Sequence, residues 1–128
     1  MDEVLLTTRL DNDDAIHETF MDEVQKLAAN LTGNCVLNAP LGYMLDQRSL
    51  ACCEFTRFSN HFISLLEFGT ANTVCAYNHT KISDSYRVID FCEDKNLWLE
   101  GINGRNLINT MPKNGVPVKW ASIKSNFI

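Results

Sequence analysis

Apolar residues recur along this chain in short runs separated by polar, turn-forming clusters, and one stretch alone carries a helical period. Val4 to Thr8 is a run of apolar and β-branched residues, which predicts a strand buried on both faces. Asp11 to Asp14 supplies four consecutive polar side chains that break it. From about Asp14 to Leu31, the apolar residues Ile16, Phe20, Val24, Leu27 and Leu31 are spaced four, four, three and four apart. That spacing builds one stripe and predicts a long amphipathic helix. Gly33 follows it, able to take the left-handed conformation that closes a helix.

Beyond that helix the periods shorten. Cys35 to Asn38 predicts a strand, and Gly42 to Asp46 with Leu50 to Thr56 predicts a hairpin across the polar Asp46-Gln47-Arg48-Ser49 turn. His61 to Phe68, with Phe62, Leu65, Leu66 and Phe68, suggests a short helix ending at Gly69. Thr73 to Tyr77 and Arg87 to Phe91 suggest two more strands, separated by a polar loop containing His79, Lys81 and Asp84. Trp98 to Ile108 is punctuated by Gly101 and Gly104, and the tail with Pro112, Gly115 and Pro117 is expected to be irregular. The expected fold class is α/β in the mixed α+β sense, a mixed sheet with one long helix after the first strand. Its 128 residues suit a single domain, residues 1–128.

Composition narrows the function classes. The formal net charge is -5 and the 11 Lys and Arg residues are scattered, so no positive stripe suited to nucleic acid is visible. No apolar run reaches the length of a membrane span, about 20 residues. Met1-Asp2-Glu3-Val4 lacks the basic start of a signal peptide, so a cytoplasmic location is expected. The five cysteines Cys35, Cys52, Cys53, Cys75 and Cys92 have no Cys-x-x-Cys spacing, which speaks against zinc and for reduced, mostly buried thiols.

The chemistry concentrates in Arg9-Leu10-Asp11-Asn12-Asp13-Asp14. Three carboxylates within four residues repel one another unless a cation offsets them. In an extended backbone Asp11 and Asp13 point the same way, offering hard oxygen ligands to Mg²⁺ or Mn²⁺ at the carboxyl end of a strand. The competing explanation is helix capping, since Asp and Asn favour helix N-termini. An EF-hand is excluded, because the sixth position from Asp11 is Ile16 and the twelfth is Asp22.

Thr8 to Ile16 resembles the Asp-x-Asp region of glycosyltransferases with the GT-A fold. It is most similar to a rhamnosyltransferase family in which an Arg-Leu-Asp-x-Asp-Asp run precedes a helix. Trp98-Leu99-Glu100-Gly101-Ile102-Asn103-Gly104-Arg105-Asn106 is similar to that family's Trp-Leu-x-x-x-His-Gly-x-Asn segment, with Asn103 standing where a histidine is expected. The resemblance runs from about Leu6 to Asn109. It implies a metal-dependent transferase acting on a nucleotide-diphosphate sugar and a glycan or other acceptor. Arg9 and Asp11 would contact the nucleotide sugar, and Asp11, Asp13 and Asn103 would hold Mn²⁺ or Mg²⁺. His79 is a substitute ligand. For a general base the candidate is Glu67, with Asp84 and Glu100 competing. Trp98 and Trp120 are candidates for stacking on a sugar.

The resemblance also implies nucleotide-binding βα units of about a hundred residues before the acidic motif. The expectation is therefore a partial GT-A-like domain, the metal and acceptor half, working with a missing N-terminal half or as a homo-oligomer. Two alternatives stand beside the enzyme: a non-catalytic interaction module of the same fold that dimerises through an exposed sheet, and a small metal-dependent phosphoryl-transfer enzyme.

Overall fold

The computed structural model describes residues 3–57, 62–69, 73–76, 81–102 and 115–127, and nine strands lie among them. In chain order they are β1 (Val4–Thr8), β2 (Ala15–Ile16), β3 (Cys35–Asn38), β4 (Leu41–Asp46), β5 (Ala51–Thr56), β6 (Ser64–Phe68), β7 (Arg87–Asp90), β8 (Trp98–Ile102) and β9 (Val116–Lys119). The helices are α1 (Phe20–Ala28) and the short α2 (Trp120–Ile123). The strands form a four-stranded sheet ordered β1-β6-β3-β7 and a five-stranded sheet ordered β2-β8-β4-β5-β9. The mixed α/β class is observed, with sheet predominating.

In the first sheet β6 runs antiparallel to both β1 and β3, and β7 runs parallel to β3. The carboxyl ends of β1, β3 and β7 therefore meet at one edge, beside the start of β6. Alternation along β3 divides its contacts. Cys35 and Leu37 pack with Phe20 and Val24 of α1, whereas Val36 packs with Ile63, Leu65, Val74 and Ile82 on the opposite face. Where the two sheets approach, the Trp98 indole stacks on Phe62 at 5.0 Å and donates to the Ala39 carbonyl at 2.9 Å. Gly42 makes that fit possible, since a Cβ there would fall on the indole ring.

The strands at Val4–Thr8, Cys35–Asn38 and Arg87–Asp90 and the hairpin match the sequence expectations. Five expectations are corrected. β1 is an edge strand, with Val4 and Leu5 exposed, so it is not buried on both faces. The expected long helix from Asp14 to Leu31 is not found: Ala15 and Ile16 pair with Leu99 and Trp98 as β2, and the helix runs only 9 residues, Phe20–Ala28. The expected helix over His61 to Phe68 is instead the central strand β6 from Ser64. Phe62 and Leu66, four residues apart, share a face on a strand as they would on a helix, and Ile63 and Leu65 are buried on the other face. The expected strand at Thr73 is a 3₁₀ turn over Val74–Ala76, and the expected irregular tail contains β9, which accepts Pro117 because it lies at a sheet edge.

All five cysteines are free thiols. Cys35, Cys52 and Cys53 are buried, Cys92 is partly buried and Cys75 is exposed. Burial pushes the Cys52 and Cys92 thiols up to about 11, which makes both poor nucleophiles. Among the described residues no helix is long and apolar enough to cross a membrane.

Candidate active site

The carboxyl edge of the first sheet carries a row of residues across its four strands. Thr8, Ser64, Leu37 and Ile89 stand in register, and the Thr8 and Ser64 hydroxyls are 2.7 Å apart. One residue further, the Arg9 amide donates to the Ile63 carbonyl at 3.0 Å and Asn38 stands opposite Asp90. Arg9, Ile63, Asn38 and Asp90 therefore follow one another across the edge. By alternation they face away from α1.

Beyond Arg9 the chain turns, with the Asp14 amide donating to the Asp11 carbonyl at 3.1 Å. The turn is fastened to β8. The Gly101 amide donates to Asp14 Oδ1 at 3.0 Å, and Gln47 Nε2 donates to the Asp13 carbonyl at 3.5 Å. Gly101 must lack a side chain, since a Cβ would collide with the Asp13 carbonyl oxygen and the Gln47 amide. Helix capping does not account for the cluster. Asp14 lies outside α1, whose preceding residue Thr19 has its amide bound to His17 Nδ1 at 3.1 Å.

Arg9 Nε lies 3.3 Å from Asp11 Oδ1, and both side chains are partly exposed. Asp11 and Asp13 supply the other two carboxylates of this turn. Two carboxylates suit Mg²⁺ or Mn²⁺, which commonly keeps water and phosphate oxygens as its remaining ligands. Among the described residues no group of three or more His, Cys, Asp or Glu side chains is placed to enclose a metal. Asn103 and His79 lie outside the described residues.

The three carboxylates considered as bases are placed very differently. Glu67 is not on an exposed helical turn. It lies in β6, is 1% exposed, and accepts the Thr73 amide at 2.9 Å. It also lies three residues from Ser64, roughly 10 Å from the carboxyl edge at strand rise. Asp84 is exposed in a 3₁₀ turn over Ile82–Asp84. Glu100 is 2% exposed on β8, adjacent to Gly101, and alternation turns it to the same side as Trp98, where the sheets meet. Arg57 Nη1 lies 3.7 Å from Glu100 Oε1, and its guanidinium sits over the Phe55 ring.

Of the tryptophans, Trp98 is fully buried core and Trp120 packs against the cluster of Leu45, Cys52, Leu99 and Ile123. Sequence reasoning missed Arg57, Asn38 and Asp90. The available signal for Asn38 and Asp90 was a polar residue closing each of two otherwise strand-like runs.

Fold and site define a mixed α/β domain with an acidic turn at the carboxyl edge of a sheet, the place where such folds gather ligands. The chain matches the family described as "Putative rhamnosyl transferase" over residues 1–114 and belongs to that family. No curated protein and no solved structure matches it.

Proposed function

We propose that this chain works as a GT-A-type glycosyltransferase, moving a sugar from a nucleotide diphosphate to a glycan or other hydroxyl acceptor. In this reading Asp11 and Asp13, the Asp-x-Asp pair, hold Mn²⁺ or Mg²⁺. A cation bound there would neutralise the departing diphosphate. Arg9 sets the orientation of Asp11 through their ion pair and brings a guanidinium within reach of phosphate oxygens. Asp14 fixes the turn to β8. Glu100, oriented by Arg57, replaces Glu67 as the base. It takes the proton of the acceptor hydroxyl as that oxygen bonds to the anomeric carbon and the carbon–phosphate-oxygen bond breaks.

The observation that carries this reading is the Gly101 clamp. It fastens to β8 an acidic turn that caps no helix. Calorimetry with Mn²⁺ and a panel of nucleoside diphosphates tests it. Nucleotide binding that requires Mn²⁺ and disappears in Asp13→Ala is expected. Nucleotide binding indifferent to both would overturn the cation's role.

A second reading rests on β1. Its outer edge carries no charge or proline from Val4 to Thr8, and Val4 is 56% exposed. Unprotected edges of this kind recruit another strand. An interaction module that pairs two copies would sediment as a dimer and revert to monomer on Leu5→Lys. A wild-type monomer at high concentration removes that reading.

A further inference from the structure

We propose that the cavity at the β3–β7 end of the edge row is the acceptor subsite, shaped for a hydroxyl-bearing sugar ring. The inference rests on the glycosyl-transfer reading above and names where its second substrate sits. The cavity measures about 270 Å³ and lies on the sheet face opposite α1. Exposed Val88 gives it an apolar wall above a floor of buried Val36, Ile63 and Ile82, and Asn38, Ser83 and Asp90 give it polar ones.

The polar part is constructed. Asn38 is 1% exposed, and its Nδ2 donates to Asp90 Oδ1 at 3.0 Å. A buried carboxamide thus holds an exposed carboxylate in one orientation at the mouth of an apolar hollow. A sugar ring matches that division: its C–H face lies on apolar carbon, and its hydroxyls donate to a fixed carboxylate. The charge selects between the two substrates. Among the described residues the lining contains one carboxylate and neither Lys nor Arg, a charge that repels a diphosphate and accepts a neutral polyol.

Position agrees with chemistry. Ile63 is both a wall of the cavity and the neighbour of Arg9 in the row. Two strand spacings, about 10 Å, separate Arg9 from Asn38, enough for the sugar being transferred to lie between the acidic turn and the cavity. Asp90 is accordingly a specificity-determining contact.

Titrating the isotope-labelled full chain with methyl glycosides, followed by amide chemical shifts, tests the subsite without needing the donor. Saturable shifts are expected at Ser83, Val88 and Asp90, weakened roughly tenfold by Asp90→Asn, which replaces a charged acceptor by a neutral one. Ser83→Trp, at an exposed rim position, fills the cavity and is expected to abolish the shifts even if the first variant folds poorly. The absence of glycoside shifts at these amides, or their appearance at Asp11 to Asp14 instead, overturns the proposal. Uridine diphosphate with Mn²⁺, titrated separately, reports on the acidic turn. Its failure with cavity shifts intact overturns the cation reading alone, and the reverse result overturns the acceptor subsite alone.

Discussion

Glu67 and Glu100 are both carboxylates in strands, 1% and 2% exposed, yet they belong to regions with opposite purposes. Glu67 lies in the interior of the first sheet, and its oxygen closes a backbone turn by accepting the Thr73 amide. Thr73 has φ +70°, a conformation costly for a threonine, so the carboxylate helps hold a strained link in place. Glu100 stands where the two sheets meet, beside the glycine that grips the acidic turn, and faces a cation from Arg57. Burial of a carboxylate therefore does not by itself mark chemistry; what its oxygens bind decides.

The sharpest way to break that contrast is to neutralise each acid in turn. Glu100→Gln should leave the fold intact and lower sugar transfer by roughly 10²- to 10⁴-fold, the usual worth of a general base. Glu67→Gln keeps an oxygen for the Thr73 amide, so transfer should stay within a few-fold while the melting temperature falls. Release of nucleoside diphosphate from the donor selected by calorimetry measures both. Equal losses of activity would erase the distinction.

Gly101 and Gly42 sharpen the comparison by separating site from core. Gly101→Ala places a methyl group on the Asp13 carbonyl, a backbone atom that must move. Overpacking of this kind costs about 1–3 kcal/mol. A shift of even 1 Å in the acidic turn should also lower transfer roughly a hundredfold. Gly42→Ala drives a methyl into the Trp98 ring and should cost at least as much stability, about 3 kcal/mol. Activity per folded molecule should nevertheless survive better in that variant. Denaturant melts beside the transfer assay distinguish the two.

A smaller effect is expected from Asp14→Ala. It removes the charged acceptor of the Gly101 amide and should cost about 1–2 kcal/mol. Asp14→Asn keeps an acceptor oxygen and should cost less than half of that. If the two variants melt alike, the clamp resides in the glycine contact and not in the carboxylate.

How much of this was legible beforehand follows from the period of each segment. Val4–Thr8 and the hairpin were readable because a short apolar run bounded by turn residues has few other solutions. β6 reads as a helix from sequence, since a central strand, apolar on both faces, satisfies helical spacing too. Asp14 falls within the expected helix because Ile16 lies in phase with Phe20, and only the pairing of Ala15 and Ile16 with Leu99 and Trp98 of β8, distant in the chain, withdraws it. The acidic turn was visible as composition. Its fastening by Gly101 and the Asn38–Asp90 pair depend on contacts that no local pattern encodes.

The smallest expected effect concerns His17, which joins the acidic turn and β2 to α1. Its Nδ1 accepts from the Thr19 amide at 3.1 Å and lies 2.9 Å from the Thr19 hydroxyl, and its ring meets Phe127 edge-on at 5.5 Å. Burial, and then the charge of Lys95, lower its pKa below the ordinary 6.5, against an opposing pull from Glu18. Below pH 6.5 the unfolded chain takes up a proton that the folded chain resists, so stability present above that value declines as the pH falls through and beneath it. An imidazolium has no lone pair for the Thr19 amide, which gives the decline a local cause. His17→Asn retains an acceptor and does not titrate, so its melting temperature should change less than the wild type's between pH 6.5 and about 5.5, above the ordinary carboxylate range. Identical pH slopes for the two proteins would place the sensitivity elsewhere. Transfer measured at constant folded fraction should be untouched, because His17 supports the frame on which the acidic turn rests and is not among the groups assigned to substrate.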